Sequence, residues 1–178
     1  MKRRSFLLSC LGLVMAGSVP LAWRAYPAPE TAILPPGVQA DRIVVRKARR
    51  EMTLWRGGEP FKTYEVALGQ GEPGPKRREG DNRTPEGIYR ISGRNPNSAY
   101  HLSLRISYPE PRDVAAAQAR GEPPGSDIMI HGIRNGFGWL GTLHRQLDWT
   151  AGCIAVTNAE IEEIWRAVPD GTPIEILP

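Results

Sequence analysis

The chain has 178 residues, 23 basic and 19 acidic, for a formal net charge of +4. Four of the basic residues (Lys2, Arg3, Arg4 and Arg24) precede the first acidic one, Glu30, so the remainder is electrically neutral and offers no basic surface for nucleic acid. That neutral body is long enough for one domain with a sizeable core, and it contains no repeat or low-complexity tract.

Lys2 to Arg4 form a positive start, and Phe6 to Ala22 is mostly apolar with no charge until Arg24. This predicts an export signal over residues 1–25 rather than an element of the fold. Arg3-Arg4 before Ser5-Phe6-Leu7-Leu8 resembles a twin-arginine signal. No clean cleavage site follows, so a retained membrane anchor is the alternative, although Pro20 and the glycines make a poor spanning helix. Residues 26–40, with Pro27, Pro29, Pro35 and Pro36, read as an extended linker. The expected location is the periplasm or cell envelope, with membrane contact only through the N-terminal segment.

The body then reads mostly as strands. Ile43-Val44-Val45 predicts a first strand from Arg42 to Ala48, and Met52 to Trp55 a second. Gly57-Gly58 offers a hairpin turn into a third, Phe61 to Leu68. Residues 69–87, rich in glycine, proline and charge, predict a long loop, with Lys76, Arg77 and Arg78 as a solvated patch. Ile88 to Ile91 reads as a short strand. From Tyr100 to Tyr108, Leu102, Leu104 and Ile106 alternate with Ser103, Arg105 and Ser107, the period of a half-buried strand. A short helix is expected from Asp113 to Arg120, and an apolar strand from Asp127 to His131. Ile154 to Val156 is a brief apolar run. A helix starts near Thr157 or Asn158, with Asn158 as its cap and Glu160, Glu162 and Glu163 suited to its positive end. Ile161, Ile164, Trp165 and Val168 share its buried face. Ile174 to Leu177 is a final strand. The class is a mainly β, α+β single domain over residues 41–178.

With Cys10 inside the expected export signal, Cys153 is the one cysteine left, with no partner for an intramolecular disulfide. A thiol that attacks a carbonyl needs a base and a holder for the developing oxyanion. His131, 22 positions upstream at the end of an apolar strand, is the best base. Gly152 allows close backbone approach, and the N–H groups of Gly152 and Cys153 are the candidate oxyanion donors. Spacing alone leaves the bland reading open, since a buried cysteine is commonly a small hydrophobe.

The pattern His131-Gly132, then Thr150-x-Gly152-Cys153-Ile154, resembles the signature of the L,D-transpeptidase catalytic domain of the YkuD-type family. That signature is His-Gly followed by [Ser/Thr]-His-Gly-Cys-[Ile/Val/Leu]-Arg. Thr84-Pro85-Glu86-Gly87-Ile88-Tyr89 is similar to the family's Thr-Pro-x-Gly strand entry. The resemblance implies a β-sandwich with short helices, Cys153 as nucleophile and His131 as base. It implies peptidoglycan stem peptides as substrate and an acyl-enzyme. No cofactor is expected, and no metal, because the spacings of His131, His144 and Cys153 match no compact zinc pattern. Ala151 and Ala155 stand where the signature has histidine and arginine. The run Asp148-Trp149-Thr150-Ala151-Gly152-Cys153-Ile154-Ala155 resembles a subgroup that includes enzymes releasing murein-linked lipoprotein. Two outcomes follow from one mechanism: an amine acceptor gives a cross-link in cell-wall biogenesis, and water gives L,D-peptidase hydrolysis of a murein peptide or lipoprotein linkage. An inactive wall-binding module is the alternative of another class.

Further candidates carry two readings each. Gly132 leaves room beside the base. Asp148 meets a substrate amine or accepts a backbone bond at a turn. Trp149 and Trp139 line a glycopeptide groove or fill core, with Trp149 favoured for the site. Thr150 belongs to the motif. Arg134 and Arg145 stand in for the absent motif arginine or are solvated loop residues. His144 reads first as a solvated loop histidine and second as a substrate contact or second base.

Overall fold

The computed structural model describes residues 33–178. The export signal or anchor expected over residues 1–25, and the first part of the linker, lie outside the described residues. Eight strands form one mixed sheet in the order β3-β2-β1-β8-β4-β5-β6-β7. Strands β1 (Arg42–Arg46), β2 (Glu51–Arg56) and β3 (Glu59–Glu65) form an antiparallel meander. Gly57 and Gly58, at φ +59° and +85°, make the β2–β3 turn that the sequence predicts. The first strand ends at Arg46 rather than Ala48, because Lys47–Arg49 wind into a 3-10 turn that closes on Arg50 at φ +54°.

Strand β8 (Pro173–Leu177) runs parallel to β1 and antiparallel to the start of β4 (Gly87–Ser98). β4 is three times the expected length. Its first half pairs β8 and its second half pairs β5 (His101–Ile106), with register shifts between the paired stretches. That change of partner breaks the alternation on which sequence periodicity depends. β5 pairs β6 (Met129–His131), and β6 runs parallel to β7 (Ile154–Ala155). Just past β3, Ala67 and Ala155 exchange backbone bonds of 2.9 and 2.8 Å, so the two edges of the sheet meet. Ala67 therefore serves β7, while Val66 N donates to Arg50 O beside β2 and Leu68 bonds to Asp148 and Thr150.

Helix α1 (Pro111–Gln118) follows β5. Helix α2 (Asn158–Ala167) follows β7 and packs on β5 through Ile161, Ile164 and Ala167. Each fully buried Ile contributes about 1.5–3 kcal/mol. The cap is Thr157, not Asn158: the Thr157 hydroxyl accepts from Glu160 N while the Glu160 carboxylate accepts from Thr157 N. Asn158 Oδ1 instead accepts from Ile133 N at 2.8 Å, tying the loop after β6 to the helix. The core holds Ile43, Leu54, Leu104, Ile130, Ile154 and Ile176 among others.

Candidate active site

The register of three strands places the candidate pair. Leu104, Ile130 and Ile154 stand side by side on β5, β6 and β7, and all are fully buried in the core. Successive residues on a strand face opposite ways, so Ser103, His131 and Ala155 form a row on the other face. Cys153 immediately precedes Ile154 at the entry of β7, two residues before the Ala155 that pairs with His131.

A sharp turn delivers the thiol. Gly152 has φ +125°, and a Cβ there would meet Arg83 O at 2.6 Å and Ile128 Cδ1 at 3.0 Å. Both the backbone angle and the space demand glycine. The facing loop is equally tight, since a Cβ on Gly69 would lie 2.2 Å from Asn82 O and 2.9 Å from Gly152 Cα. Thr150, buried, locks the turn: its hydroxyl donates to Cys153 O at 2.7 Å and accepts from Gly152 N at 3.1 Å. The Gly152 N–H named as an oxyanion donor is therefore engaged within the turn. Thr84 holds the other wall, accepting from Gly69 N at 3.0 Å.

His131 is 4 % exposed, and its Nδ1 lies 2.6 Å from Gly132 O. A carbonyl only accepts, so Nδ1 carries the proton and Nε2 presents its lone pair. Burial lowers the His131 pKa, and the bond to Gly132 O opposes that shift. Burial raises the Cys153 pKa, with a backbone contact from Met129 opposing it. The Sγ also donates weakly to Asp127 O at 3.7 Å. Both shifts favour a neutral thiol beside a neutral imidazole at rest. Gly132 packs rather than opening space, since a Cβ there would meet Asn158 Oδ1 at 2.8 Å and Tyr100 O at 3.0 Å.

Aromatic rings clasp the imidazole. Tyr100 lies 4.5 Å from His131 between ring centroids, Trp149 packs edge-on at 5.7 Å, and Tyr100 and Trp149 stack at 6.0 Å. Trp149 Nε1 donates to His144 Nδ1 at 3.4 Å. His144 is buried, not a solvated loop residue, and burial brings its pKa down to about 4. A cavity of about 350 Å³ opens beside these rings, walled by Tyr100, Trp149, Ile133, Phe137 and Leu140, with His144 and Arg134 completing it. Part of the wall is a 3-10 segment, Gly138–Gln146, that has no periodic sequence signature. Trp139, on that segment, is 76 % exposed and fills no core.

The remaining candidates divide. Arg134 reaches the cavity, and its guanidinium makes no hydrogen bond or ion pair among the described residues. Arg145 is held by Glu160, with Glu65 at 3.4 Å. Asp148 accepts from Leu68 N at 2.8 Å and pairs with Arg50 at 2.9 Å, so its carboxylate braces the loop. Ala155, fully buried between β6 and Ala67, puts no cation beside the thiol. Tyr100 escaped the sequence reading, because nothing local marks a tyrosine at a strand entry as a ring partner for His131. The basic patch is only partly solvated, since Lys76 pairs with Asp81 at 2.8 Å.

A curled mixed sheet with a cysteine-bearing turn at the entry of one strand and a histidine at the end of its neighbour is the architecture of a family of cysteine enzymes. Residues 40–176 match the L,D-transpeptidase catalytic domain (YkuD), and the chain belongs to that family. It is 31 % identical over 133 residues to YafK of Escherichia coli (strain K12), a protein that carries an L,D-transpeptidase name; the match covers 71 % of this chain and 46 % of YafK. The chain thus spans about half the length of the curated relatives it matches. Among solved structures it is similar to the helical cell shape determining protein Pgp2 from Campylobacter jejuni (TM-score 0.59, 23 % identity, 79 % of this chain and 48 % of that one). It is also similar to Bd1075 of Bdellovibrio bacteriovorus (TM-score 0.54, 24 % identity, 79 % and 48 %). These two structures share its fold.

Proposed function

We propose that the chain is a cysteine acyltransferase of the cell envelope that cuts peptidoglycan stem peptides through a thioester on Cys153. One observation supports this reading: the parallel β6–β7 pairing puts Cys153 at the entry of the strand beside the one that ends in His131, whose Nδ1 is tied to Gly132 O. His131 takes the Sγ proton as sulfur attacks the carbonyl, and returns it to the departing amine. With both groups neutral at rest, proton transfer accompanies attack rather than preceding it. The Cys153 N–H is the backbone donor left for the oxyanion, because the Gly152 N–H serves Thr150. An amine then resolves the thioester into a cross-link, or water releases the acid. The run from Asp148 to Ala155, with alanine in place of the motif arginine, supports placing the chain in the subgroup that includes enzymes releasing murein-linked lipoprotein. Residues 1–25 act as the export signal or anchor, and residues 26–40 as a linker to the envelope-facing domain.

The test is incubation with purified muropeptides and mass spectrometry of the products, beside Cys153→Ala. New dimers indicate transpeptidation, and loss of a terminal residue or attached peptide indicates hydrolysis. Unchanged muropeptides, or activity retained in Cys153→Ala, would refute the proposal.

A further inference from the structure

The 3-10 turn that cuts β1 short at Arg46 also aims a cation inward. Lys47 opens that turn, and its side chain is 13 % exposed. Its Nζ donates to Gly74 O at 2.6 Å, to Thr84 O at 2.9 Å and to Glu86 Oε1 at 2.8 Å. An ammonium has three donors, so all of them are used. The Glu86 carboxylate offsets the cost of withdrawing the charge from water. The other two bonds go to backbone carbonyls on opposite limbs of the loop over residues 69–86. Gly74 lies on the outgoing limb and Thr84 on the returning one. The limbs also bond each other, since Gly71 N donates to Asn82 O at 2.9 Å. A compact ammonium with rotatable donors serves two such carbonyls and a carboxylate at once, whereas an apolar side chain would leave all three acceptors unmet.

The returning limb is the wall against which the Cys153 turn packs. Arg83 O stands 2.6 Å from the place a Gly152 Cβ would take. The Thr84 hydroxyl accepts from Gly69 N, and Gly69 in turn abuts the Gly152 Cα. The outgoing limb meets the same turn, since Gln70 N donates to Thr150 O at 2.9 Å. The carbonyl that Lys47 holds at Thr84 is one residue from the carbonyl that confines Gly152, so slack in the first reaches the second. We propose that Lys47 is a positioning residue for thioester formation. By clamping both limbs of the 69–86 loop it keeps the Arg83–Thr84 wall against the Gly152 turn, and so fixes where the Cys153 thiol stands relative to His131. The inference rests on the acyl-transfer reading above. Lys47 bonds the loop and not Cys153 or His131, so its effect passes through Thr84, Arg83 and Gly152 rather than through proton transfer.

The test follows thioester formation on Cys153 by mass spectrometry over a range of stem-tetrapeptide concentrations, in the full chain and in Lys47→Met and Lys47→Arg, with urea unfolding to show that each variant is folded. Lys47→Met is expected to lower the acylation rate at saturation about 10- to 100-fold, the span of a misplacement on the scale of an ångström. The half-saturating concentration is expected to stay nearly constant, because substrate binding is not what Lys47 supports. Lys47→Arg keeps the charge beside Glu86 and is expected to fall between the two. A second measurement reads the wall itself. Gly152→Ala is resisted by Arg83 O, so its destabilisation in urea is expected to shrink when Lys47→Met or Lys47→Arg releases the limb. A folded Lys47→Met that acylates at the unmodified rate, a change confined to the half-saturating concentration, or a Gly152→Ala cost that stays additive overturns the positioning role and leaves the acyl-transfer reading intact. If Lys47→Met does not fold, Lys47→Arg carries the same readings: an unmodified rate or an additive Gly152→Ala cost overturns the role. No thioester in the unmodified chain overturns the acyl-transfer reading and the positioning role with it.

Discussion

Gly152→Ala is the sharpest probe of how the thiol is delivered. Two costs add at this position. The backbone sits at φ +125°, a region that L residues rarely adopt, for about 1–3 kcal/mol. The new methyl would meet Arg83 O at 2.6 Å and Ile128 Cδ1 at 3.0 Å. The first contact is backbone carbonyl, held in a loop that also abuts Gly69, and cannot swing away, so overpacking adds about 1–3 kcal/mol. The expected loss is about 2–6 kcal/mol, a large part of the roughly 5–15 kcal/mol that keeps a domain folded. Gly121→Ala is the control: at φ +71° with nothing within 4 Å of its Cβ, it bears strain alone, about 1–2 kcal/mol. Equilibrium unfolding in urea reads both, with m-values confirming that the transition keeps its size. Gly152→Ala should also slow thioester formation at Cys153, because relief comes only by moving the turn away from the Asn82–Thr84 wall. If Gly152→Ala costs no more than Gly121→Ala, or acylates at the unmodified rate, the packed-turn account is wrong.

Thr150→Val keeps shape but removes the hydroxyl that bridges Gly152 N and Cys153 O; a loss of about 1–3 kcal/mol and slower acylation are expected, with Thr150→Ser recovering most of both in the same urea and mass-spectrometric assays. Because burial raises the Cys153 pKa and lowers that of His131, iodoacetamide labelling of Cys153 should be slower at pH 7 than that of an ordinary thiol and climb into the alkaline range. A labelling plateau below pH 7 would instead mean a preformed thiolate–imidazolium pair. The acid limb of kcat/KM should fall below the ordinary histidine value of 6.5, since His131 stays neutral until lower pH. Burial raises the Asp81 pKa, but the Arg77 N–H, the Lys76 ammonium and the Arg83 and Arg78 N–H groups outweigh it and bring the carboxyl from 3.8 to about 2. The folded pKa is depressed, so Asp81 stabilises the fold above about pH 4 and that contribution is lost as pH falls towards 2. The stability gap between the unmodified chain and Asp81→Asn should close over that window, and a pH-independent gap in urea titrations would contradict the loop staple.

Where local pattern and burial agree, the fold is legible in the chain. Leu102, Leu104 and Ile106 announce β5, and Ile161, Ile164 and Val168 announce the packed face of α2, because a single neighbour covers each face. β4 is less legible, since its halves pair β8 and β5 and its second half runs through Asn95-Pro96-Asn97. The candidate pair, Cys153 and His131, stands out for its residue types, while its placement on adjoining parts of the sheet depends on a parallel β6–β7 pairing that no local pattern encodes. Asp148 and Arg145 illustrate the same limit. Each admits a reading as a substrate contact, until Arg50, Glu160 and the Leu68 N–H arrive from distant parts of the chain and occupy them. His144 and Tyr100 gain their significance only through Trp149 and His131, contacts made by tertiary packing alone.

The central claim, a thioester on Cys153 driven by His131, is tested most directly by intact-protein and peptide mass spectrometry after brief exposure to a tetrapeptide stem. The account predicts an added acyl mass, stem peptide less its terminal residue, on the fragment containing Cys153, absent in Cys153→Ala and strongly reduced in His131→Ala. Peptide consumption without any adduct that persists in Cys153→Ala would contradict it.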